Sequence, residues 1–306
     1  MNITSSVSPT TADGPVTRAL VIAGGGAAGN AWALGVIAGL ADAGVDVTGA
    51  DLIVGTSSGS TVAAQITGAT TPAALYAAIT AEAPPLRGAP GSRPGPARGV
   101  SGQSYLDWSQ EIIDTSADAA EMRRRMGAAA LERDTSDGAD GRKWRDVVAG
   151  RLPHASWPEQ RVLITAVEAR TGEPVVFSRE SGVELVDAVA ASTSAMIPYP
   201  IGEHRYLNGG YRRSENADLA AGYGRVLVLV PFGGRTRMPA GWGMDLAAQV
   251  QELRAGGSRV ETVFPDAGAG QVFDANALDP STRRQAATGG FEQGRSLAGA
   301  VGELWG

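Results

Sequence analysis

Asp51-Leu-Ile-Val-Gly-Thr-Ser-Ser-Gly59 sets a serine, Ser57, at the end of an apolar run and at the start of a small-residue helix pattern. Gly55, Ser57 and Gly59 satisfy G-x-S-x-G, in which a strand turns so sharply into a helix that only small neighbours fit. The serine is left projecting at the sheet edge. Backbone N–H groups at the helix start then lie close to where an oxyanion would form.

Working upstream, Arg18-Ala-Leu-Val-Ile-Ala23 reads as a buried strand, and Gly24-Gly-Gly-Ala-Ala-Gly29 follows it at once. A helix pattern runs from about Ala31 to Ala43 and closes at Gly44. In a right-handed crossover the glycine loop and the serine turn fall at the carboxyl ends of neighbouring parallel strands. The glycines let backbone N–H groups approach whatever the serine attacks. Gly24, Gly26 and Gly29 also satisfy G-x-G-x-x-G, the dinucleotide fingerprint. That reading needs an acid at the end of the second strand, whereas Asp46 and Asp51 precede the strand and its end delivers Ser57. The nucleotide reading is therefore set aside.

The base that would activate Ser57 is not a histidine by pattern. His154 and His204 are the only two, and no acid is marked before His204 as a triad in Ser–acid–His order requires. Both read as exposed loop residues. Further along, Leu185-Val-Asp-Ala-Val-Ala-Ala-Ser-Thr-Ser-Ala-Met-Ile-Pro198 leads to Tyr206-Leu-Asn-Gly-Gly210, and the apolar strand Arg225-Val-Leu-Val-Leu-Val230 follows.

Taken in order, these three motifs resemble the patatin-like phospholipases, serine acyl hydrolases with a Ser–Asp dyad. The family pattern is G-G-G-x-x-G, then G-x-S-x-G, then Asp-Gly-Gly or Asp-Gly-Ala, and the likeness covers roughly Arg18 to Pro231. The resemblance implies a three-layer α/β fold, with a mostly parallel central sheet and helices on both faces. It implies Ser57 as nucleophile, position 208 as its base, and Gly24, Gly25, Gly26 and Ala27 as the oxyanion loop. Gly29, Gly55, Gly59, Gly209 and Gly210 are then motif glycines of the loop, the elbow and the dyad turn.

One residue departs from the family where it matters: Asn208 stands at the dyad aspartate's place. Asparagine has nearly the same shape and can bond Ser57 through its oxygen, but it cannot take up a proton at a useful pKa. The favoured reading is an engineered Asp→Asn substitution on an otherwise intact site. A naturally non-catalytic lipid-binding relative is one alternative, and another carboxylate, Asp218 or Asp187, acting as base is a second. Ala28 is a further departure, since many family members carry a basic residue there. The implied activity is lipid acyl-ester hydrolysis, disabled in this form, with acyl transfer from a specialised ester as its nearest variant.

Composition fits an enzyme of this kind. The chain has 306 residues, is 43% hydrophobic and carries a net charge of −6 without a basic stripe, so nucleic acid is not an expected partner. It contains no cysteine, and its two separated histidines give no metal-ligand pattern, so neither a metal nor a cofactor is expected. An acyl-ester or lipid substrate is the expected partner, and the oligomeric state is open.

Residues 1–16 lack the basic start and apolar core of a signal peptide and are expected to be a disordered leader. A single acyl hydrolase domain is expected over 17–306, in the cytoplasm. Within it, residues 83–103 form a flexible Pro/Gly-rich loop, read as a connector or as a mobile cover over an acyl pocket. Its Arg87, Arg93 and Arg98 could meet an anionic membrane surface. A helical region is predicted from Tyr105 to about Leu131, a hairpin from Arg161–Glu168 and Pro174–Ser178, a last strand at Arg259–Phe264, and a closing helix from Asp279.

Overall fold

A computed structural model describes residues 17–81, 102–136, 139–270 and 272–306. The expected leader, most of the 83–103 loop and its three arginines lie outside the described residues. β1 (Arg18–Ile22) leads into α1 (Gly26–Asp42), then β2 (Leu52–Gly55) and α2 (Ser58–Ile66). Four helices follow: α3 (Pro72–Ala81), α4 (Gly102–Asp114), α5 (Ala119–Arg133) and α6 (Ala139–Ala149). Next come β3 (Arg161–Glu168), β4 (Pro174–Phe177), α7 (Leu185–Thr193), β5 (Tyr199–Ile201) and β6 (His204–Asn208). The order ends with β7 (Arg225–Leu229), α8 (Leu246–Ala255), β8 (Arg259–Val263) and α9 (Arg283–Trp305).

The strands form one mixed sheet in the order β5-β6-β3-β2-β1-β7-β8, with β4 paired to β3. Its centre, from β3 through β2, β1 and β7 to β8, is parallel, and β4, β5 and β6 run antiparallel to their neighbours. The period-two alternation of the central strands explains helices on both faces. Leu20 and Ile22 of β1, Ile53 of β2 and Leu227 and Leu229 of β7 join α1, α2, α7 and α9 in one core. Their neighbours Ala19, Val21, Leu52, Val54, Val226 and Val228 join α8 in a second.

Several boundaries differ from the sequence expectation. α1 starts at Gly26, not near Ala31, because Gly25 is extended at φ −170° and Gly26, at φ +63°, turns the chain straight into the helix. The predicted helical region splits into α4 and α5, and Asp118 caps α5 by accepting the Glu121 N–H. α9 begins at Arg283, since Asp279 caps a separate short 3₁₀ turn, Pro280–Thr282.

One detail of β3 positions the site. β4 pairs with Ile164–Val167 on one edge of β3. On the other edge β2 pairs up to Gly55 opposite Ile164, and antiparallel β6 comes in from the far end to place Asn208 opposite Ala166. The carboxyl ends of β2 and β6 therefore meet head to head over Thr165. Ser57 lies just past the first, and Asn208 closes the second.

Candidate active site

Ser57 sits at φ +52° and ψ −126°, a conformation that costs a non-glycine residue on the order of 1–3 kcal/mol. Local bonds hold it there. The Ser57 N–H donates to Ser192 Oγ at 2.9 Å, the Gly59 N–H to the Thr56 carbonyl at 2.8 Å, and Ser60 Oγ to the Ser57 carbonyl at 2.6 Å. The motif glycines are there for space. A Cβ on Gly59 would lie 2.1 Å from the Ile22 carbonyl oxygen, and one on Gly55 2.6 Å from Ser60 Cα.

Asn208 and Ser57 are brought together: Asn208 Nδ2 donates to Ser57 Oγ at 2.9 Å. This orientation differs from the sequence expectation, in which the amide oxygen faces the serine. The reason is local, since the Gly210 N–H donates to Asn208 Oδ1 at 3.0 Å and so turns the NH₂ group toward Ser57. Gly209 packs on β3, where a Cβ would stand 2.1 Å from Thr165 Oγ1.

The glycine loop lies against the same serine. A Cβ on Gly24 would sit 2.9 Å from Ser57 Cβ, and one on Gly25 2.5 Å from Pro231 Cβ. The Gly25 N–H is taken, donating to Ser58 Oγ at 2.9 Å. Gly26 and Ala27 open α1, so their N–H groups have no intrahelical acceptor. Gly29 closes the first turn by donating to the Gly25 carbonyl. Ala28 is fully buried.

Neither alternative carboxylate reaches Ser57. Asp218 is bidentate with Arg212 at 2.9 and 2.7 Å, and Asp187 bonds Arg145 and the Tyr199 hydroxyl. His154 is engaged with the Ser156 and Ala64 carbonyls, and His204 lies 3.8 Å from Glu168. Among the described residues no group of three or more acidic or histidine side chains is placed to hold a metal ion, and no helix is long and apolar enough to cross a membrane. A groove of about 640 Å³ between α8 and β8, lined by Leu246, Val250 and Phe264, shares no residue with the site. The Tyr105 hydroxyl of α4 meets that of Tyr211, in the turn after Asn208, at 2.7 Å.

Sequence reasoning missed the polar layer behind the pair. Thr56, Thr165 and Asn216 are buried and mutually bonded, and Gln249 holds the Ala217 N–H at 2.7 Å. Ser192 had a signal in the small polar run Ser192-Thr-Ser194, whereas Asn216 had none beyond being an asparagine after a turn.

Glu215 belongs to this layer, with its Oε2 3.4 Å from Gln249 Nε2. Burial first, then the charge of Asp245, pushes its carboxyl from 4.5 up to about 7, against the pull of Arg213. A raised acid binds more protons folded than unfolded, so its contribution falls as pH rises from about 4.5 to about 7. The loss is on the order of 3 kcal/mol. Glu215→Gln should therefore gain stability over the parent chain at pH 8 and little at pH 4.5. Urea midpoints at the two pH values check this, and a gain confined to low pH would contradict it.

Residues 20–221 match the family model for patatin-like phospholipase. No curated protein matches the chain. Two solved structures align with it over most of its length. VipD from Legionella pneumophila has 13% identity and a TM-score of 0.41, over 94% of this chain and 67% of that one. The type III effector protein ExoU has 18% identity and a TM-score of 0.33, over 92% of this chain and 54% of ExoU. The matched family span takes in the glycine loop, the Ser57 elbow and the Asn208 turn, and on it the chain belongs to the patatin-like phospholipase family.

Proposed function

We propose that the chain is a lipid acyl-ester hydrolase in which Ser57 is the nucleophile and position 208 its base, disabled in this form by Asn208. The observation that carries the reading is the 2.9 Å bond between Asn208 Nδ2 and Ser57 Oγ, with Asn208 Oδ1 held by the Gly210 N–H. A carboxylate in the same position would keep the Gly210 bond with one oxygen and accept the serine hydroxyl with the other.

In the active form Ser57 Oγ attacks the ester carbonyl carbon while its proton passes to the carboxylate at 208. The N–H groups of Gly26 and Ala27, joined by Gly25 once Ser58 releases it, stabilise the oxyanion. The acid returns its proton to the leaving alcohol, then activates a water that frees the acyl group from Ser57. Asn208 is accordingly read as replacing an aspartate in a site otherwise intact. The substrate is a lipid or other acyl ester, met at a membrane surface.

The amide donor facing Ser57 favours one second reading, a non-catalytic lipid-binding site. A fluorophosphonate separates the two. Asn208→Asp should be labelled on Ser57 and should hydrolyse long-chain esters, and Asn208→Asp/Ser57→Ala should do neither. An Asn208→Asp chain that neither labels nor turns over, yet binds lipid vesicles, would favour the second reading.

A further inference from the structure

Asn216 is fully buried and holds φ +59°, the left-handed region that asparagine tolerates better than other side chains with a Cβ. Its Nδ2 reaches Thr56 Oγ1 at 2.9 Å, the Gly209 carbonyl at 3.0 Å and Thr165 Oγ1 at 3.2 Å. Its Oδ1 accepts from Arg212 Nη1 at 2.8 Å. Thr56 immediately precedes Ser57, Gly209 immediately follows Asn208, and Thr165 is the β3 residue over which the two strands meet.

We propose that Asn216 is a positioning residue, whose single amide clamps the nucleophile elbow to the dyad turn from behind and so sets the spacing between Ser57 and side chain 208. The inference rests on reading those two residues as the dyad, and it adds a residue that touches neither substrate nor reacting atom. Few other side chains would serve. The position needs a residue that accepts positive φ, a donor group for a backbone carbonyl and a threonine hydroxyl, and an acceptor for Arg212. Aspartate meets the first and last of these and fails the second, because its oxygens would face the Gly209 carbonyl. Arg212 at 2.8 Å keeps such a carboxylate ionised, so it gains no proton to donate. A shift on the order of 1 Å in a reacting pair costs about 10²-fold in rate.

The test uses two backgrounds. In Asn208→Asp, adding Asn216→Asp should lower kcat per fluorophosphonate-titrated Ser57 by about 10- to 100-fold, with KM within about twofold. Adding Asn216→Gly, which keeps the backbone conformation, should do the same. If Asn216 merely anchored Arg212 and its turn, Asn216→Asp would rescue and only Asn216→Gly would fail.

In the parent chain, Asn216→Asp should speed hydrogen exchange of the Gly210 amide at least about tenfold, since the turn that holds Asn208 Oδ1 is no longer tied to Thr56. A kcat retained within about threefold in both double variants overturns the proposal. Where Asn208→Asp is itself inert, the dyad reading has failed and Gly210 exchange alone decides. Unchanged exchange then overturns the clamp, and faster exchange sustains it.

Discussion

Asn208→Asp should raise ester hydrolysis by about 10⁴-fold over the parent chain, the size of the loss when the acid of a Ser-His-Asp enzyme becomes an amide. Here the argument for a large effect is stronger, because no histidine stands between the two residues. In the parent chain both hydrogens of Asn208 Nδ2 are donors, and one is directed at Ser57 Oγ. The serine is met by a donor where it needs an acceptor for its own proton. The exchange to aspartate reverses that polarity without moving a heavy atom. The Gly210 N–H, 3.0 Å from Oδ1, remains to hold one carboxylate oxygen and to favour its charged form. Turnover should therefore rise with pH through the carboxylate range and hold to neutrality. Initial rates on short and long p-nitrophenyl esters and a phospholipid check this, with Asn208→Asp/Ser57→Ala as the blank. Equal inertness of parent, single and double variants on all three would remove the dyad assignment for these substrates.

The parts of this site legible in the sequence are those that sterics dictate locally. G-x-S-x-G announces a turn that only small residues can make, and the structure has Ser57 at positive φ between glycines with no room for a Cβ. Apolar runs at Arg18, Arg161 and Arg225 became strands because each alternates its side chains between the two faces of the sheet, while Arg259–Val263, at the edge, buries only Val260 and Val263. Pairing was legible only between strands consecutive in the chain, where parallel β1 and β2 and the β3–β4 hairpin pair as expected. Periodicity says which face a residue takes, not which strand lies beside it, so the head-on approach of β2 and β6 along one edge of β3 had no sequence signal. The amide orientation of Asn208 was missed for a related reason. It is set by the Gly210 N–H, and a backbone donor is the same in every sequence. α3 went unread because it buries only Ile79, which leaves a weak pattern, whereas α6 buries Gly141 and Val148 seven residues apart on one face, a pattern that was there to read.

The pairing of α1 with α9 was equally hidden, and it carries the largest expected effect on stability. α1 is buried along nearly its whole length, and two of its glycines, Gly35 and Gly39, are where α9 lies on it. A Cβ on Gly35 would stand 2.2 Å from the Ala287 carbonyl oxygen, and one on Gly39 2.1 Å from that of Phe291. From the other side, a Cβ on Gly290 would lie 2.4 Å from the Trp32 carbonyl oxygen and one on Gly294 2.2 Å from that of Val36. The two backbones touch, and the Trp32 Nε1–H bond to Gln293 Oε1 at 2.9 Å fixes their register. Helix propensity alone says that Gly39→Ala should stabilise by about 1 kcal/mol. Overlap with a backbone carbonyl that cannot rotate away says the opposite, so the sign of the change decides between them. We expect Gly39→Ala to lower the melting temperature, and Gly39→Val to cost on the order of 4 kcal/mol or more, a large part of a typical domain's 5–15 kcal/mol. Thermal and urea unfolding check both, and a neutral or stabilising Gly39→Ala would mean that the helices are free to separate. The same contact bears on the chemistry, because α1 carries Gly26 and Ala27 at its first turn. In the Asn208→Asp background, Gly39→Ala should lower kcat at temperatures where the chain is still folded, since a helix pushed off α9 carries the proposed oxyanion donors away from Ser57.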